Sequence, residues 1–457
     1  MLTANLATKL QSLLGATRVT AAEHSLLSFA VDGMSPAAII HPASAEEVAE
    51  VVRFAASEKL AIVSCGSRSK LEMGMPPARY DIALDMTGVC HIAHYDAGDL
   101  TLSVDAGMPL RHLEQALAEK QQFLPLAVPC FETSTVGGAV ASGIDSVLRQ
   151  QYGTARDFLI GAEFVDGTGK ICKSGGRVVK NVTGYDLHKL LIGSLGTLCV
   201  ITRLNFRTFP LAQVSGGQLV SFASVEGTLA FRRELEAAGL PISNLEVLSP
   251  GIATILAAIL RSAKSGVPLG LEQGRWCVYA SYEGNAAVVE RVSRELEKFA
   301  RETNAANYEP LDKPTDESLG GMLREAFEWL RFASPLVLLV RLVLPEFSGE
   351  VSAGLSDILK ANSLRGGMLL RARGIVYFLA QVEEGAALDR LEKTAKDVTR
   401  LVAEKQGHTT LLHAPLALKS RASIRAGADE NIGLMRRVKQ AFDPQGLFAP
   451  GRFWGGL

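Results

Sequence analysis

Hydrophobic and polar residues follow two different rhythms along the chain, and the change falls near residue 212. Before that point, short apolar runs are separated by turns rich in glycine, serine and threonine, which predicts short buried strands joined by tight loops. Ser44 and Glu47 form a capping box ahead of a predicted helix, Ala45–Glu58, in which apolar residues recur at helical spacing. The run Leu60–Val63 then predicts a buried strand that leads directly into a loop of small residues.

After residue 212, longer strands alternate with longer helices, and this pattern predicts an antiparallel sheet covered by helices. One long helix is predicted over Asp316–Phe332. The predicted strands of this region are Gln218–Phe222, Leu245–Leu248, Trp276–Tyr282, Leu336–Leu344, Met368–Arg371, Ile375–Gln381 and Thr410–His413.

The end of the chain combines a predicted helix, Glu430–Ala441, with a tail rich in turn residues, Phe442–Arg452. Such a tail is typical of an extended segment that docks on another part of the protein. The changes of pattern predict three parts, which are residues 1–211, residues 212–425 and residues 426–457.

Composition narrows the class of protein. With 47% hydrophobic and 21% charged residues, the 457-residue chain is expected to fold into a packed globular protein. A formal net charge of -1 excludes a bulk electrostatic attraction to nucleic acid or to acidic lipid. The sequence has no signal-peptide pattern and no run of about 18 apolar residues, which predicts a cytoplasmic protein. Its six cysteines lack C-x-x-C pairs and metal-ligand spacing, so no metal site is predicted and the thiols are expected to be reduced.

Two loops of small residues, 64–70 and 133–138, are the best candidates for binding a ligand. Small residues let backbone N–H groups approach phosphate closely, and such amides are the usual partners of a dinucleotide pyrophosphate. Neither loop is a G-x-G-x-x-G fingerprint that opens a helix, and the chain has no G-x-x-x-x-G-K-[ST] phosphate loop.

The order of three segments resembles the FAD-binding domain of the p-cresol-methylhydroxylase (PCMH) type, which belongs to the vanillyl-alcohol-oxidase superfamily of FAD-linked oxidases. These segments are the loop Gly66–Gly74, the T-V-G-G sequence at Thr135–Gly138 and the G-S-L-G-T-L-C-V-I-T sequence at Gly193–Thr202. The sequence Gly175–Leu187, which contains K-N-V-T-G-Y-D-L, and the tail F-D-P-Q-G-L-F-A-P-G-R are similar to the glycolate and D-lactate dehydrogenase branch.

The resemblance implies an α+β fold. It consists of a PCMH-type FAD-binding domain of two α/β subdomains, an antiparallel-sheet cap lobe with helices, and a C-terminal segment that returns to the FAD domain. The implied cofactor is FAD, and it is expected to be non-covalent because the first loop lacks the histidine through which some relatives attach flavin. The residues that the resemblance assigns to the cofactor are Ser64, Cys65, Gly66, Ser67, Arg68, Ser69, Lys70, Pro129, Thr133, Ser134, Thr135, Val136, Gly137, Gly138, Ser142, Gly196, Thr197, Leu198, Val200, Ile201 and Arg452.

Two departures from the family pattern affect this site. Ser67 and Arg68 replace the second and third glycines of the usual first loop, and a non-glycine residue at positive φ costs about 1 kcal/mol. Arg68 is expected either to pair with a phosphate or to point into solvent. Ala449 replaces the asparagine of the family's tail, which removes a side-chain hydrogen bond near the flavin.

No catalytic residue is assigned. The substrate-oxidising members of the branch resemble one another in a histidine cluster with a G-D-G-N-x-H segment, whereas the cap lobe here contains only His408 and His413. Arg341, Arg371 and Arg373 could clamp a substrate carboxylate, but ion pairs or a solvated strand edge are the favoured interpretation.

The absence of the histidine segment favours the smaller of the two FAD-binding subunits of glycolate oxidase over the larger, substrate-oxidising one. The partners implied are that larger FAD-binding glycolate oxidase subunit and an iron–sulfur subunit, which would bring the protein to the inner face of the membrane, and a small 2-hydroxy-acid substrate. Two alternatives stay open: a self-sufficient FAD-dependent 2-hydroxy-acid dehydrogenase of the D-lactate type, and an assembly protein of the complex that has lost FAD.

Overall fold

The computed structural model describes residues 2–177, 184–264, 266–332, 334, 336–382, 387–421 and 431–457. The strands of the first region are β1 (Val19–Thr20), β2 (Ala38–Ile40), β3 (Ile62–Cys65), β4 (Ile82–Asp85), β5 (Ile92–Asp96), β6 (Thr101–Asp105), β7 (Gln122–Phe123), β8 (Leu159–Val165), β9 (Ile171–Gly175), β10 (Val200–Arg207) and β11 (Phe209–Pro210). Its helices are α1 (Leu2–Leu14), α2 (Glu23–Leu27), α3 (Ala45–Glu58), α4 (Leu110–Ala118), α5 (Val136–Ser142), α6 (Arg149–Tyr152) and α7 (Ala155–Phe158), with 3-10 turns at Ala16–Arg18, Met86–Gly88 and Leu187–Leu190.

Two main sheets organise this region. The first has the order β1-β2-β4-β3, in which β4 runs parallel to both β2 and β3, and the second is an antiparallel sheet with the order β5-β6-β10-β8-β9. Strands β7 and β11 form a separate short pair. Two sheets with their own helices agree with the two α/β subdomains expected from the sequence.

Helix α3 begins and ends where the sequence predicts. The Ser44 hydroxyl accepts a hydrogen bond from the Glu47 amide at 3.3 Å, while the Glu47 carboxylate accepts one from the Ala43 amide at 2.8 Å. The helix buries Val48, Val51 and other small apolar residues against the first sheet. Local capping and spacing were sufficient to predict this element.

The second region is built on one antiparallel sheet with the order β15-β12-β14-β13-β17-β18-β16-β19. Its strands are β12 (Val214–Phe222), β13 (Ile242–Leu248), β14 (Trp276–Gly284), β15 (Asn307–Leu311), β16 (Leu336–Val343), β17 (Arg365–Arg371), β18 (Ile375–Val382) and β19 (His408–His413). Its helices are α8 (Val225–Ala238), α9 (Pro250–Ser262), α10 (Leu269–Glu272), α11 (Ala286–Glu302), α12 (Lys313–Arg324), α13 (Ala326–Arg331), α14 (Gly349–Ala361), α15 (Ala387–Glu404) and α16 (Leu416–Lys419).

Each face of this large sheet packs against a different set of helices. Alternate strand residues such as Val278 and Ala280 share one core with α8, α11, α14 and α15, whereas Cys277 and Tyr279 share the other with α9, α12 and α13. The second core also contains Met73 and Ile144 of the first region. This face of the sheet therefore forms the junction between the two regions.

The chain returns to the first region through α17 (Ile432–Phe442), the tail and a 3-10 turn at Trp454–Gly456. The Ile62 amide donates to the Leu447 carbonyl and the Ala449 amide donates to the Ile62 carbonyl, both at 2.8 Å, so the tail runs beside β3. The predicted fold class, including the returning C-terminal segment, is thus confirmed. The division of the chain into three parts, residues 1–211, 212–425 and 426–457, stays a prediction.

Candidate functional site

A cavity lies at the end of β3, between the loop that follows this strand, helix α5, the segment 195–201 and the C-terminal tail. It is open on one side and lined mainly by small side chains and backbone. The lining residues are Val63, Ser64, Cys65, Gly66, Ser67, Arg68, Ser69, Lys70, Leu71, Met86, Ala106, Thr135, Gly137, Gly138, Ala141, Ser142, Leu195, Gly196, Cys199, Val200, Ile201 and Arg452.

Glycine is required where the first loop meets helix α5. A Cβ atom on Gly66 would overlap the Thr135 hydroxyl and lie 2.7 Å from its Cγ2 atom. Thr135 is the N-cap of α5, and its hydroxyl accepts a hydrogen bond from the Gly138 amide at 3.2 Å. A Cβ on Gly137 would lie 2.7 Å from the Ala106 Cβ. The Gly66 backbone therefore packs directly against the Thr135 side chain and the Gly137 backbone against Ala106, so the walls of the cavity require glycine at both positions.

Arg68 is the residue of the first loop whose backbone adopts a conformation that favours glycine. It has a φ of 68°, whereas Ser67 stays outside the positive-φ region, so only one of the two replaced glycines carries the expected strain of about 1 kcal/mol. The Arg68 guanidinium lies over the Phe29 ring, 4.2 Å from its centroid. The Arg68 side chain is also exposed, which agrees with one of the two placements expected from the sequence, and pairing with a phosphate stays a prediction. The cation–π contact offsets part of the strain.

Lys70 places a buried positive charge on the cavity wall. Its ammonium donates hydrogen bonds to the hydroxyls of Ser134 and Ser69, the second at 3.4 Å. Burial lowers the pKa of Lys70, while the nearby Glu325 and Glu328 carboxylates act in the opposite direction. The two glutamates lie at the junction of α12 and α13, so this end of the cavity faces the second region.

Arg452 supplies a second buried cation from the tail. One of its terminal nitrogens, Nη2, donates to the carbonyls of Leu71 and Met73 at 2.6 Å each. Its Nε and Nη1 atoms are buried and have no hydrogen-bond partner among the described residues. Burial lowers the pKa of this guanidinium. Because Arg452 lines the cavity, its unpaired donors fit an anionic group such as a phosphate.

The position of Ala449 explains the asparagine expected there. Ala449 is buried and has a φ of 40°, in the left-handed region that asparagine adopts more readily than alanine. Asparagine at this position would therefore suit the backbone turn that sends Arg452 toward the cavity.

The cavity gathers most of the residues that the sequence assigns to the cofactor. Six of the assigned residues do not line the cavity. Three of them take part in hydrogen bonds within the protein: the Ser134 hydroxyl accepts one from Lys70, the Pro129 carbonyl accepts one from Ser134, and the Thr197 carbonyl accepts one from Lys439. Of the other three, Val136 is buried, Thr133 is exposed and Leu198 is half-buried. Lining residues absent from that assignment are Val63, Leu71, Met86, Ala106, Ala141, Leu195 and Cys199. Of these, Leu195 and Cys199 belong to the quoted G-S-L-G-T-L-C-V-I-T sequence, whereas Met86 and Ala106 end distant elements and carry no local signal.

Other candidate groups take structural positions. Arg371 is buried against Glu246, Arg373 forms an exposed pair with Glu236, and Arg341 donates to Gly143 and Asp145, so ion pairs are the correct interpretation for these arginines. Lys180 and Asn181 lie outside the described residues. Among the residues that are described, no group of three histidine, cysteine or carboxylate side chains could hold a metal ion, and no helix could cross a membrane.

His413 packs at the junction of the two regions, beside charged side chains. Its Nδ1 atom lies 3.9 Å from the Glu72 carboxylate, with Lys419 and Arg331 nearby. Burial, together with the two cations, lowers the pKa of His413 to about 4, and Asp32 and Glu328 oppose the shift. The imidazole is therefore neutral in the folded protein at neutral pH.

This lowered pKa predicts acid sensitivity. Between pH 6.5 and pH 4 the unfolded chain binds a proton at His413 that the folded protein does not bind. The free energy of unfolding therefore decreases by about 3 kcal/mol as the pH is lowered across this window. Urea titrations from pH 7.5 to pH 4 should show His413→Gln losing most of this slope. His408→Gln, at the exposed start of the same strand, is the matched control. Equal slopes in wild type and His413→Gln would contradict the assignment.

Comparisons with known proteins agree with this geometry. The sequence matches the FAD binding domain family over residues 36–175 and the C-terminal domain family of FAD linked oxidases over residues 213–453. Glycolate oxidase subunit GlcD of Bacillus subtilis is 24% identical, over 92% of this chain and 89% of that protein. Glycolate oxidase subunit GlcE of Escherichia coli is 37% identical, over 43% of this chain and 55% of that protein. Substrate-bound p-cresol methylhydroxylase, at 16% identity, has a TM-score of 0.74 over 98% of this chain and 96% of that one, which shows the fold alone.

Proposed function

This chain belongs to the FAD-linked oxidases, and we propose that it is an FAD-binding subunit of a glycolate oxidase complex, of the GlcE type. FAD is the cofactor of this family. The observation that carries the proposal is the cavity at the end of β3, because it combines close backbone approach at Gly66 and Gly137 with unpaired donors on Arg452. The 37% identity to GlcE of Escherichia coli supports the choice of this type.

Each part of the cavity has a role in holding the cofactor. The amides of residues 64–70 would bind the pyrophosphate, and Arg452 would add charge-assisted hydrogen bonds. Helix α5 and the segment 195–201 would form the walls, with Lys70 as a buried cation toward the second region. FAD, when bound, supplies the acceptor for the hydride that leaves a 2-hydroxy acid as it becomes a 2-oxo acid. We propose non-covalent attachment, since the residues that line the cavity include no histidine.

The proposed partners follow from the GlcE type. A larger FAD-binding glycolate oxidase subunit would share the complex, and an iron–sulfur subunit would take the electrons away. GlcD of Bacillus subtilis and GlcE of Escherichia coli both carry glycolate oxidase names, which supports a complex built around glycolate and glyoxylate. Association with the membrane would then depend on those partners.

A second candidate is a self-sufficient dehydrogenase for glycolate or another 2-hydroxy acid such as D-lactate. The alignment with GlcD of Bacillus subtilis favours it, because that alignment extends over 92% of this chain and includes the whole cap lobe. The two candidates share the same cofactor site and differ in whether this chain alone oxidises the substrate.

Anaerobic reduction of the purified protein separates these candidates. After incubation with FAD and gel filtration, we expect the flavin absorbance spectrum to remain with the protein at about one FAD per chain. Under the GlcE-type proposal, excess glycolate or D-lactate leaves the flavin oxidised until the partner proteins of the complex are added. Bleaching by either acid without partners favours the self-sufficient dehydrogenase. A colourless protein that cannot be reconstituted contradicts both and leaves the assembly protein without FAD.

A further inference from the structure

A second cavity, of about 250 Å³, lies on the other side of helix α5 from the cavity at the end of β3. Gly137, Gly138 and Ala141 of this helix line the first cavity, whereas Ala139 lines the second. The second cavity is closed on its other sides by the segment 143–149, helix α7 and strand β16. It therefore lies at the junction of the two regions and is separate from the proposed cofactor site.

The charges around this cavity are strongly unequal. Among the described residues, four basic side chains line it, from Arg149, Arg156, Lys189 and Arg341, and one acidic side chain, from Asp145. Apolar residues, including Leu126 and Ile192, form part of the wall. Cations that converge beside an apolar wall attract anions more strongly than the same cations on an open surface, because the local dielectric is lower.

Asp145 shows how a carboxylate is held in this cavity. Its side chain is buried and forms ion pairs with Arg149 through Oδ1 and with Arg341 through Oδ2, the second at 3.3 Å. The Tyr377 hydroxyl also donates to Oδ2, at 3.1 Å. One internal carboxylate thus occupies the inner part of the cavity, where it neutralises only part of the positive charge.

Toward the mouth of the cavity, the remaining cations are less fully paired. Lys189 forms an ion pair with Asp186 at 3.1 Å, and the Asp186 side chain is 59% exposed. Arg156 is exposed. An anion in the cavity would therefore meet Arg156 and Lys189 at the mouth and the two arginines beside Asp145 further in.

We propose that this cavity is a binding site for a small organic anion that carries two or more carboxylate or phosphate groups. A multiply charged ligand matches the number of converging cations better than a single carboxylate does. The segment that contains Asp145 follows directly from Ser142, which lines the first cavity. The two sites thus share one helix and its C-terminal turn.

Isothermal titration of the FAD-loaded protein tests this proposal with citrate and inorganic pyrophosphate as separate probes. We expect at least one probe to bind at one site per chain, with citrate alone indicating a carboxylate ligand and pyrophosphate alone a phosphate ligand. The double substitution Arg156→Gln and Lys189→Gln should weaken that binding at least tenfold. The matched control, Arg294→Gln with Lys298→Gln, removes the same charge from the exposed face of helix α11 and should change affinity less than twofold.

Two results would overturn the proposal. The first is the absence of saturable binding by either probe. The second is an equal loss of affinity in the Arg156/Lys189 variant and the control variant, since that would indicate a general effect of net charge. Both substituted pairs lie outside the FAD cavity, so the flavin spectrum reports independently that each variant is folded and loaded.

Discussion

Replacing Gly66 with alanine is expected to weaken FAD binding by about tenfold to hundredfold. The added Cβ would overlap the Thr135 hydroxyl and come within 2.7 Å of its Cγ2 atom. Either the first loop or the N-terminus of α5 must then move, and overpacking of this kind costs about 1–3 kcal/mol. Thr135 would also lose its capping contact with the Gly138 amide, on the wall of the same cavity. Because both walls belong to the proposed cofactor site, we expect the cost to appear in the affinity for FAD.

The measurement is the dissociation constant for FAD, from flavin fluorescence quenching on titration of the apoprotein. Gly321→Ala is the matched control, because a Cβ at Gly321 in helix α12 meets no heavy atom of the described protein within 4 Å. Alanine is also the better helix former, so this variant should bind FAD as wild type does. An affinity of Gly66→Ala within twofold of wild type would remove the first loop from the cofactor site.

The secondary structure was most predictable where local signals were complete. Helix α3 has its cap, its apolar spacing and its end within one segment, and the prediction was correct at both ends. Strand β15 was missed because Asn307–Leu311 is short, lies at the sheet edge and contains Pro310, so only its pairing with β12 makes it a strand. The predicted helix Asp316–Phe332 is divided at Glu325, whose carboxylate accepts hydrogen bonds from the Cys130 and Phe131 amides. A contact across nearly two hundred residues has no local signal.

The candidate site likewise contains features that local sequence predicts and features that depend on distant contacts. The glycines at Gly66, Gly137 and Gly138 could be identified from the sequence because close backbone approach restricts the residue type. The placement of Arg68 over Phe29 could not, since the aromatic partner comes from a distant loop. Helix α5 was also not predicted, because Gly137 and Gly138 are typical of a loop and the helix depends on its N-cap, Thr135. The features of the site that the sequence did not predict depend on contacts between residues that are far apart in the chain.

Replacing Arg371 with methionine is expected to destabilise the protein by about 3–5 kcal/mol. Its guanidinium pairs with Glu246 at 2.7 Å and donates to the carbonyls of Asp145 and Leu323 at 2.9 Å each. Burial raises the pKa of Glu246 to about 7, and Arg371 is the main group that opposes this shift. Without the arginine, a buried carboxylate and two carbonyls lose their partner, which is far more costly than losing an exposed pair.

Arg373 provides the matched control, because it lies two residues along the same hairpin and pairs with Glu236 at 2.8 Å while its side chain stays 78% exposed. Arg373→Met should therefore cost less than about 1 kcal/mol in urea unfolding. The double substitution Glu246→Leu with Arg371→Met should recover part of the loss, since no buried carboxylate is then left alone. Recovery stays incomplete because the Asp145 and Leu323 carbonyls remain unpaired. If Arg371→Met and Arg373→Met cost the same, the buried arginine does not join the cap sheet to the segment that carries Asp145.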